Sequence, residues 1–469
     1  MATVNGTVGN DFIHLKNDGL VPPTRTYKDI PKATPGVDFI DSGGSGREII
    51  HAGGGDDHIL FDDFVFEQAA TDMDPLDRID GGAGHDTLYF RNPDLTLRAT
   101  SLLSIEALFI TFDNFGARLT LNDANVAAGE RMVVIFNSDL NNFFGEVFFD
   151  GSAETDGALF ISAGHSTGLT EYTSNTLIGG ALGDVLAGCT LSDFVSGGGG
   201  DDTIEVSLID FDTVSGGGVF DGGAGFDTLV SFGDDVPSFA FNSIEKMIVL
   251  RDYLPVVSRS LDDTHIAAGE HLIVDASALA TASFLFDDRG ELDGSLTVIA
   301  ADGNDTVATG AQGDTLSGFG GDDELRGGKG GDRLVGGDGG DHLIGGNDND
   351  TLNGGDGDDT VIGGNGNDRT TGGAGFDIFV FLTVAEAKGK RDVITDFKTS
   401  EGDQIDLSGT FAGTLDFIGK AAFSGTAGEV RYSGKDKLTV EVNVDTDLRA
   451  EFAFTLSHVP SLAATDFIL

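Results

Sequence analysis

The stretch of residues 300–380 consists of nine consecutive nonapeptides of the form G-G-x-G-x-D-x-U-x, in which U is a large apolar residue. Clear copies are GGKGGDRLV, starting at Gly327, and GGDGGDHLI, starting at Gly336. Glycine allows the first six positions to turn tightly with positive φ, and the last three form a short strand whose U side chain points inward. Two repeats then make one coil of a flattened, elongated parallel β-solenoid.

The sixth position of every repeat is an aspartate. Because two repeats make one coil, alternate aspartates fall on the same edge. Coils stack about 4.8 Å apart, so neighbouring carboxylates would repel by about 3 kcal/mol at an effective dielectric of about 20. A cation is therefore expected between them. The two predicted edges are Asp305, Asp323, Asp341, Asp359 and Asp377 on one side, and Asp314, Asp332, Asp350 and Asp368 on the other.

Apolar burial alone is too small to hold such coils together. Each coil buries two U side chains, worth about 2 to 3 kcal/mol each, against an ordering cost of about 1.5 kcal/mol for each residue. Oxygen-only ligands on a glycine frame select a hard cation with many ligands, so the expected ion is Ca²⁺, bound at several sites. Departures at Gln312, Asp348, Phe319 and Ala300-Ala301 are expected to weaken the sites they border.

Similar repeats occur earlier, and they predict further calcium ligands at the sixth position: Asp57, Asp86, Asp184, Asp193, Asp202 and Asp227. Between them lie strand-like stretches that occur twice, about 140 residues apart by the alignment of the two copies. NVAAGERMVV from Asn125 matches HIAAGEHLIV from His265, and FFDGSAETDGALF from Phe148 matches LFDDRGELDGSLT from Leu285. No segment keeps a helical period, so the chain is predicted to be all-β.

The nonapeptides resemble the RTX calcium-binding repeat. From Phe376 onward the chain contains FDIFVF, DVITDF, DQIDLS and ATDFIL. Together with the preceding repeats, this stretch resembles the C-terminal domain of serralysin-type RTX proteins. The final Asp466-Phe467-Ile468-Leu469 is similar to the signal read by type I ABC exporters. The resemblance implies export by the type I apparatus through the C-terminus. Asp392, Asp396, Asp403 and Asp406 form either one more Ca²⁺ site or solvated charges.

The composition is strongly acidic, with a net charge of -51. Such a charge excludes nucleic acid and acidic membranes as natural partners and invites cations. The single cysteine, Cys189, occupies a repeat position and is interpreted as incidental. The first residues lack a signal-peptide pattern, and no apolar run is long enough to span a bilayer. Export without an N-terminal signal peptide to the bacterial surface or the medium is therefore expected.

The sequence bears on three candidate kinds of catalytic site. No H-E-x-x-H motif occurs, and His265 and His271 have the wrong spacing for a zinc site. The G-x-S-x-G pentapeptide at residues 164–168, with Ser166, lacks a following helical pattern and is interpreted as a repeat turn. A polysaccharide lyase or epimerase would need clustered cationic and tyrosine side chains, which the middle units lack. The chain is therefore expected not to be an enzyme.

The predicted organisation is an all-β parallel β-roll with a C-terminal β cap. Its parts are an N-terminal cap at 1–42, two units of repeats plus β rungs at 43–178 and 179–299, the nine-repeat roll at 300–380, and the cap with the secretion signal at 381–469. The predicted function is that of a secreted protein that folds on Ca²⁺ and has a structural, adhesive, matrix or S-layer-like role. Self-association and a cell-surface glycan stay open as partners. The alternative is a secreted RTX enzyme, either a lyase or epimerase or an esterase, that acts through the middle rungs.

Overall fold

The computed structural model describes residues 11–14, 28–29, 38–41, 48–54, 56–62, 78–91, 94–96, 102–112, 117–138, 146–163, 174–189, 192–207, 218–232, 240–250, 256–260, 266, 268–383 and 392–469. Most of the predicted N-terminal cap at 1–42 lies outside these ranges. The pentapeptide at 164–168 and His265 lie wholly outside them. For Cys189 only the backbone is described, within a strand.

The chain divides into two compact units, Met1–Ser231 with Phe239–Glu245, and Phe232–Ser238 with Lys246–Leu469. Strands of the first unit run parallel, and each pairs with the strand two places along the chain in most of the unit. They are β1 (Asp11–His14), β2 (Lys28–Asp29), β3 (Asp38–Asp41), β4 (Glu48–Gly54), β5 (His58–Asp62), β6 (Arg78–Ala83), β7 (Thr87–Arg91), β8 (Asp94–Thr96), β9 (Leu102–Leu103), β10 (Ala107–Phe112), β11 (Ala117–Thr120), β12 (Arg131–Ser138), β13 (Val147–Asp150), β14 (Ala158–Ser162), β15 (Thr176–Ile178), β16 (Val185–Cys189), β17 (Phe194–Gly199), β18 (Thr203–Ser207), β19 (Val219–Ala224), β20 (Thr228–Phe232) and β21 (Ala240–Asn242).

The second unit continues this pattern and ends in a small antiparallel sheet. Its strands are β22 (Lys246–Leu250), β23 (Val256–Ser260), β24 (His271–Asp275), β25 (Ser283–Asp287), β26 (Ser295–Ile299), β27 (Thr306–Ala308), β28 (Thr315–Gly320), β29 (Glu324–Lys329), β30 (Arg333–Asp338), β31 (His342–Asn347), β32 (Thr351–Asp356), β33 (Thr360–Asn365), β34 (Arg369–Ala374), β35 (Ile378–Val380), β36 (Val393–Ile394), β37 (Gln404–Asp406), β38 (Asp416–Gly419), β39 (Glu429–Gly434), β40 (Lys437–Asn443), β41 (Phe452–Ser457) and β42 (Phe467–Ile468).

Two parallel sheets face each other across the roll. Even-numbered strands form one sheet, in which β28 pairs with β30 and β30 with β32, and odd-numbered strands form the other, in which β29 pairs with β31. The register aligns each U residue with the U residue of the next coil in the same sheet. Leu316 is thus the strand partner of Leu334, and Leu325 is the strand partner of Leu343. This is the coil of two repeats that the period predicts. The fold is an all-β parallel β-roll.

Apolar side chains fill the interior of each coil, because alternate residues of a strand point inward. In the roll, Leu334, Leu343 and Leu352 are fully buried. The described residues contain two short 3-10 helices, Ser277–Leu279 and Ala464–Asp466, and no α-helix. Within this described part of the chain, no helix is both long and apolar enough to cross a bilayer.

The C-terminal segment closes the second unit. Strands β39, β40 and β41 form an antiparallel sheet, and β41 pairs in parallel with β36. The ring of Phe381, just after the roll, stacks 4.4 Å from that of Phe454 on β41. The last strand, β42, pairs with β37, which places Phe467 beside Ile405. These contacts form the β cap that follows the roll.

Candidate metal centres

The nine sixth-position aspartates of the roll form two hydrogen-bonded columns. In each column the backbone N–H of one aspartate donates to Oδ1 of the aspartate one coil later. Asp323 donates to Asp341 at 2.9 Å, and Asp332 donates to Asp350 at 2.8 Å. The same bond joins Asp305 to Asp323, Asp314 to Asp332, Asp341 to Asp359, Asp350 to Asp368, and Asp359 to Asp377. The predicted division into two edges is therefore confirmed.

Burial makes these carboxylates unusual, because each of the nine is at most 3 % exposed. One oxygen is satisfied by the N–H of the preceding coil. The second oxygen is buried and has no hydrogen-bond partner in Asp323, Asp332, Asp341, Asp350, Asp359 and Asp377. A buried carboxylate oxygen without a partner costs several kcal/mol. Six such atoms in one roll indicate a ligand that binds carboxylate oxygens.

The first-position glycines face these second oxygens. A Cβ added at Gly336 would lie 2.1 Å from Oδ2 of Asp341, and one at Gly345 would lie 2.4 Å from Oδ2 of Asp350. The second-position glycines leave no room for a side chain for a different reason. Gly337 has φ 133°, and a Cβ added there would meet the carbonyl of Phe319 on the neighbouring coil. Glycine therefore keeps both the space beside Oδ2 and the close stacking of the turns.

Burial raises the pKa of Asp323, Asp332, Asp350 and Asp359, and neighbouring carboxylates, including those of the same column, raise it further. The pKa of Asp323 and of Asp350 is raised to about 8. The pKa of Asp332 and of Asp359 is raised to about 7 for the same two reasons. Hydrogen bonds from the backbone act in the opposite direction without overcoming burial. At neutral pH the columns therefore need either protons or a metal to neutralise them.

Calcium fits these residues. The donors are carboxylate oxygens on a glycine-rich turn, and Ca²⁺ takes six to eight oxygen ligands in flexible geometry. The turns supply no nitrogen or sulfur donor that would favour zinc. When bound, the cation gives the buried Oδ2 atoms, which have no hydrogen-bond donor, a positively charged partner. The carboxylates themselves position the turns, because each Oδ1 holds the backbone of the preceding coil.

The sixth-position aspartates of the earlier repeats lie in similar columns. Asp57 donates to Asp86 at 2.8 Å, Asp184 to Asp202 at 2.7 Å, and Asp202 to Asp227 at 2.7 Å. Oδ2 of Asp86, Asp202 and Asp227 is buried without a hydrogen-bond partner. Asp193 is fully buried and accepts the N–H of Asn175 at 2.7 Å. All fifteen predicted ligands are therefore buried. The structure joins fourteen of them to one another in columns, whereas the hydrogen bond described for Asp193 joins it to Asn175.

The first aspartates of two patches differ from the others. Oδ2 of Asp305 accepts the N–H of Ala301 at 2.8 Å, and Oδ2 of Asp184 accepts the N–H of Gly180 at 2.6 Å. These oxygens already have a partner, so they offer less to a cation. The bond from Ala301 gives a physical reason to expect a weaker site at the start of the roll.

Five further residues extend the columns, and three of them, Glu106, Glu245 and Asn175, were not among the candidate ligands. Asp392 accepts the N–H of Asp368 at 3.0 Å, and Asp403 accepts that of Asp377 at 3.2 Å, so each extends one column of the roll. Glu106, Glu245 and Asn175 accept the N–H of Asp86, Asp227 and Val147. In the sequence, each of these five residues is an acid or amide that stands two positions before a buried apolar residue. The glycines of the nonapeptide consensus are absent from the turns before them.

Asp396 and Asp406 do not belong to these columns. The carboxylate of Asp396 accepts the N–H groups of Gly372 and Gly373 at 3.0 and 2.9 Å, and that of Asp406 accepts the N–H of Ser408 at 2.8 Å. The four aspartates beyond the roll therefore have three separate roles in the structure: two extend columns, one caps a turn of the roll, and one caps its own turn.

Of the catalytic candidates His265, His271 and Ser166, only His271 lies among the described residues. His271 is exposed on β24, and its two ring nitrogens lie 2.9 and 3.1 Å from the hydroxyls of Ser295 and Thr297. No carboxylate among the described residues is hydrogen-bonded to this ring. Ser166 lies outside the described residues, so its interpretation as a turn stays a prediction.

Comparison with protein families agrees with this geometry. Residues 297–469 match the peptidase M10 serralysin C-terminal family, and residues 42–60, 77–91 and 178–206 match the RTX calcium-binding nonapeptide repeat. No curated protein matches the chain. RTX nonapeptide repeats bind multiple calcium ions, and the serralysin-type C-terminal domain implies type I secretion. The chain is an RTX calcium-binding repeat protein with a serralysin-type C-terminal domain, secreted to the outside of the cell.

Proposed function

We propose that this protein is a calcium-folded scaffold that acts at or outside the bacterial surface as a matrix, adhesive or S-layer-like component. The fifteen sixth-position aspartates are the proposed calcium ligands. The observation that carries the proposal is the pair of buried columns in the roll. Their acid groups are spread evenly along the whole length of the repeats and each holds the backbone of a neighbouring coil. Carboxylates used in this way maintain a framework and do not converge on one reacting point.

Folding is proposed to follow calcium concentration. In a cytosol with little free Ca²⁺, the net charge of -51 and the buried columns oppose the compact state. Outside the cell, calcium at roughly 10⁻⁴ to 10⁻³ M matches the affinity of extracellular calcium modules. Binding then supplies folding free energy, so the protein is exported as a chain and becomes ordered at its destination.

The C-terminal segment supports this order of events. Phe467 is 6 % exposed, its ring lies 5.0 Å from that of Phe417, and its backbone pairs with β37. A segment held in this way offers no free strand to an exporter. Recognition of Asp466-Phe467-Ile468-Leu469 by the type I apparatus therefore belongs to the unfolded chain, and docking of β42 belongs to the folded protein outside.

The rungs between the repeats support a scaffold role. Their interiors are filled by buried aliphatic and phenyl side chains, among them Phe136, Phe149, Phe284 and Phe286. Filled parallel coils present their outer faces as regular surfaces, which suits lateral contact with other copies or with a surface polymer. The repeated units at 43–178 and 179–299 are proposed to provide these faces.

Cell fractionation and size analysis test this function together. The full chain, loaded with millimolar Ca²⁺, is examined by light scattering and negative-stain microscopy, and producing cells are washed with EGTA or with buffer containing Mg²⁺. A scaffold is expected to form ordered multimers or to stay on the cells until EGTA, but not Mg²⁺ buffer, releases it. A discrete monomer found wholly in the medium would contradict the scaffold role while leaving calcium-dependent folding intact.

A further inference from the structure

A buried glutamate recurs at the same place in the two copies of the β rungs. Glu154 lies in the turn E-T-D-G after β13, and Glu291 lies in the turn E-L-D-G after β25. Neither turn fits the nonapeptide pattern. Glu154 is fully buried and Glu291 is 1 % exposed. Two copies of one buried acid indicate a shared structural or binding role.

One oxygen of each glutamate holds its own turn. Oε1 of Glu154 accepts the N–H of Gly157 at 2.9 Å, and Oε1 of Glu291 accepts that of Gly294 at 2.7 Å. The other oxygen, Oε2, is buried in both glutamates and has no hydrogen-bond partner. Turn capping therefore explains one oxygen of each carboxylate and leaves the second without an explanation.

In the first unit, two more carboxylates converge on Glu154. Ligand oxygens of Asp123, Glu154 and Asp156 all lie within 4.8 Å of one another. The backbone N–H of Thr155 donates to Oδ1 of Asp123 at 2.9 Å, and this bond fixes the loop of Asp123 against the turn. Three neighbouring acid groups, one of which carries a buried oxygen without a hydrogen-bond partner, form a concentrated negative site, which a divalent cation would stabilise.

Both glutamates lie directly beside the first glycine turn of a repeat patch. A Cβ added at Gly180 would lie 2.8 Å from the carbonyl oxygen of Glu154, and one at Gly310 would lie 2.0 Å from that of Glu291. The N–H of Ala181 donates to the carbonyl of Glu154 at 2.9 Å, and that of Ala311 to Glu291 at 3.0 Å. Each E-x-D-G turn is thus the layer on which the glycine column begins.

A second acidic group shows why this cluster is different. Asp445, Asp447 and Glu451 also bring carboxylate oxygens within 4.8 Å of one another. Asp445 and Asp447 are exposed, and backbone N–H groups occupy oxygens of all three residues. This second group contains no buried unpartnered oxygen, and nothing in it points to a ligand.

We propose that Asp123, Glu154 and Asp156 bind one Ca²⁺ ion at a site outside the nonapeptide consensus, and that Glu291 marks its counterpart in the second unit. Glu154 supplies the buried oxygen, and the two exposed aspartates supply ligands from the surface. Such an ion would neutralise the layer from which the glycine column starts. The proposal does not depend on the scaffold role.

Calcium stoichiometry of variants tests the site. In Glu154→Gln, the amide Oε1 can still accept the N–H of Gly157, so turn capping is preserved while the charge is lost. Equilibrium dialysis of the full chain against calcium is expected to show one bound ion fewer per chain than in the wild type. Glu154→Gln combined with Glu291→Gln is expected to lose two. Glu130→Gln, which removes an exposed charge in the same unit, is the matched control and should bind the wild-type number.

An exposed variant keeps the test decisive if Glu154→Gln does not fold. Asp156→Asn changes an exposed side chain, so the fold is expected to persist, and the affinity of one calcium site should fall by about tenfold or more as one charged ligand is lost. If Glu154→Gln, or Asp156→Asn in its place, binds calcium with wild-type number and affinity, the site does not exist and Glu154 only caps its turn.

Discussion

Two kinds of coil in the second unit bury different groups. In the broad rungs, β24 buries Leu272 and Val274, and β26 buries Leu296 and Val298. In the roll, a strand such as β30 buries one large apolar side chain, Leu334, and the preceding turn buries a carboxylate, Asp332. At about 2 to 3 kcal/mol for each buried aliphatic side chain, the broad rungs gain about twice as much per strand from apolar burial.

This difference in buried groups shows that the second unit contains two sources of stability. Broad rungs depend on hydrophobic burial, which needs no ligand. Nonapeptide coils replace part of that burial with acid groups that are unfavourable until a cation neutralises them. The roll can therefore respond to calcium, and the following predictions test how sharply the two kinds of coil differ.

Calcium removal should have the largest effect. With excess EGTA at pH 8, amides of the nonapeptide coils at 314–377 are expected to lose hydrogen-exchange protection, because charged Asp323 and Asp350 become uncompensated in the interior. Amides of β24 and β26 should keep more protection than those of the roll. Hydrogen exchange read by mass spectrometry measures both regions in one sample. Full protection of 314–377 in chelator would contradict the comparison.

Acidic pH should partly replace calcium in the roll. Burial and neighbouring charges raise the pKa of Asp323 and Asp350 to about 8 and that of Asp332 and Asp359 to about 7. The metal-free fold therefore binds more protons than the unfolded chain, and its stability rises as pH falls from about 8 towards 4. The calcium concentration at the folding midpoint should therefore fall as pH falls from 8 to 6, because bound protons stabilise the same compact state that calcium stabilises.

Circular dichroism during calcium titrations at several pH values checks this dependence. The metal-free chain should also gain β signal on acidification. A midpoint that stays constant or rises as pH falls from 8 to 6 would show that the buried columns of the folded chain do not take up protons.

Removing one column charge should have opposite effects with and without metal. Asp341→Asn keeps an oxygen to accept the N–H of Asp323 but removes the charge. Loss of a charged ligand is expected to cost roughly 3 kcal/mol in the calcium-loaded protein, while the same change should stabilise the metal-free roll. Denaturant unfolding in Ca²⁺ and in EGTA measures both. Asp356→Asn, an exposed third-position change, is the control and should do neither.

A methyl group beside a column should disturb the roll at one coil. The Cβ of Gly345→Ala would lie 2.4 Å from Oδ2 of Asp350 and 2.6 Å from the carbonyl of Gly363. Such overpacking is expected to cost about 1 to 3 kcal/mol and to weaken calcium binding. In Gly320→Ala the nearest atom would be 3.9 Å away, so this variant should keep wild-type stability in the same thermal unfolding experiment.

The smallest expected effect is a gain in stability at an irregular repeat. Phe319 replaces the second-position glycine, has φ 74°, and leaves its side chain 50 % exposed. Positive φ costs a non-glycine residue roughly 1 to 2 kcal/mol. Replacing it with glycine removes this cost, but part of the gain is offset because glycine loses more backbone entropy on folding. Phe319→Gly should therefore stabilise the calcium-loaded roll by roughly 0.5 to 1 kcal/mol in denaturant unfolding. A loss of stability would show that the ring contributes to packing.

The repeat pattern predicted the architecture of the roll because it is local and periodic. Aspartate at the sixth position and an apolar residue at the eighth specify one turn and one strand, and repetition specifies the coil. The pattern did not identify Asp392 and Asp403 as column members, because the turns before them lack the glycine consensus. Their positions depend on β36 and β37 pairing with the end of the roll.

The sequence by itself determined the period, the inward apolar residues and the spacing that places alternate aspartates on one edge, since each follows from the geometry of a single repeat. Only the tertiary structure decided which carboxylate oxygens are buried without a partner. It also decided that Asp123, distant in sequence, meets Glu154 and Asp156, because burial and the convergence of charges depend on how separate turns stack on one another.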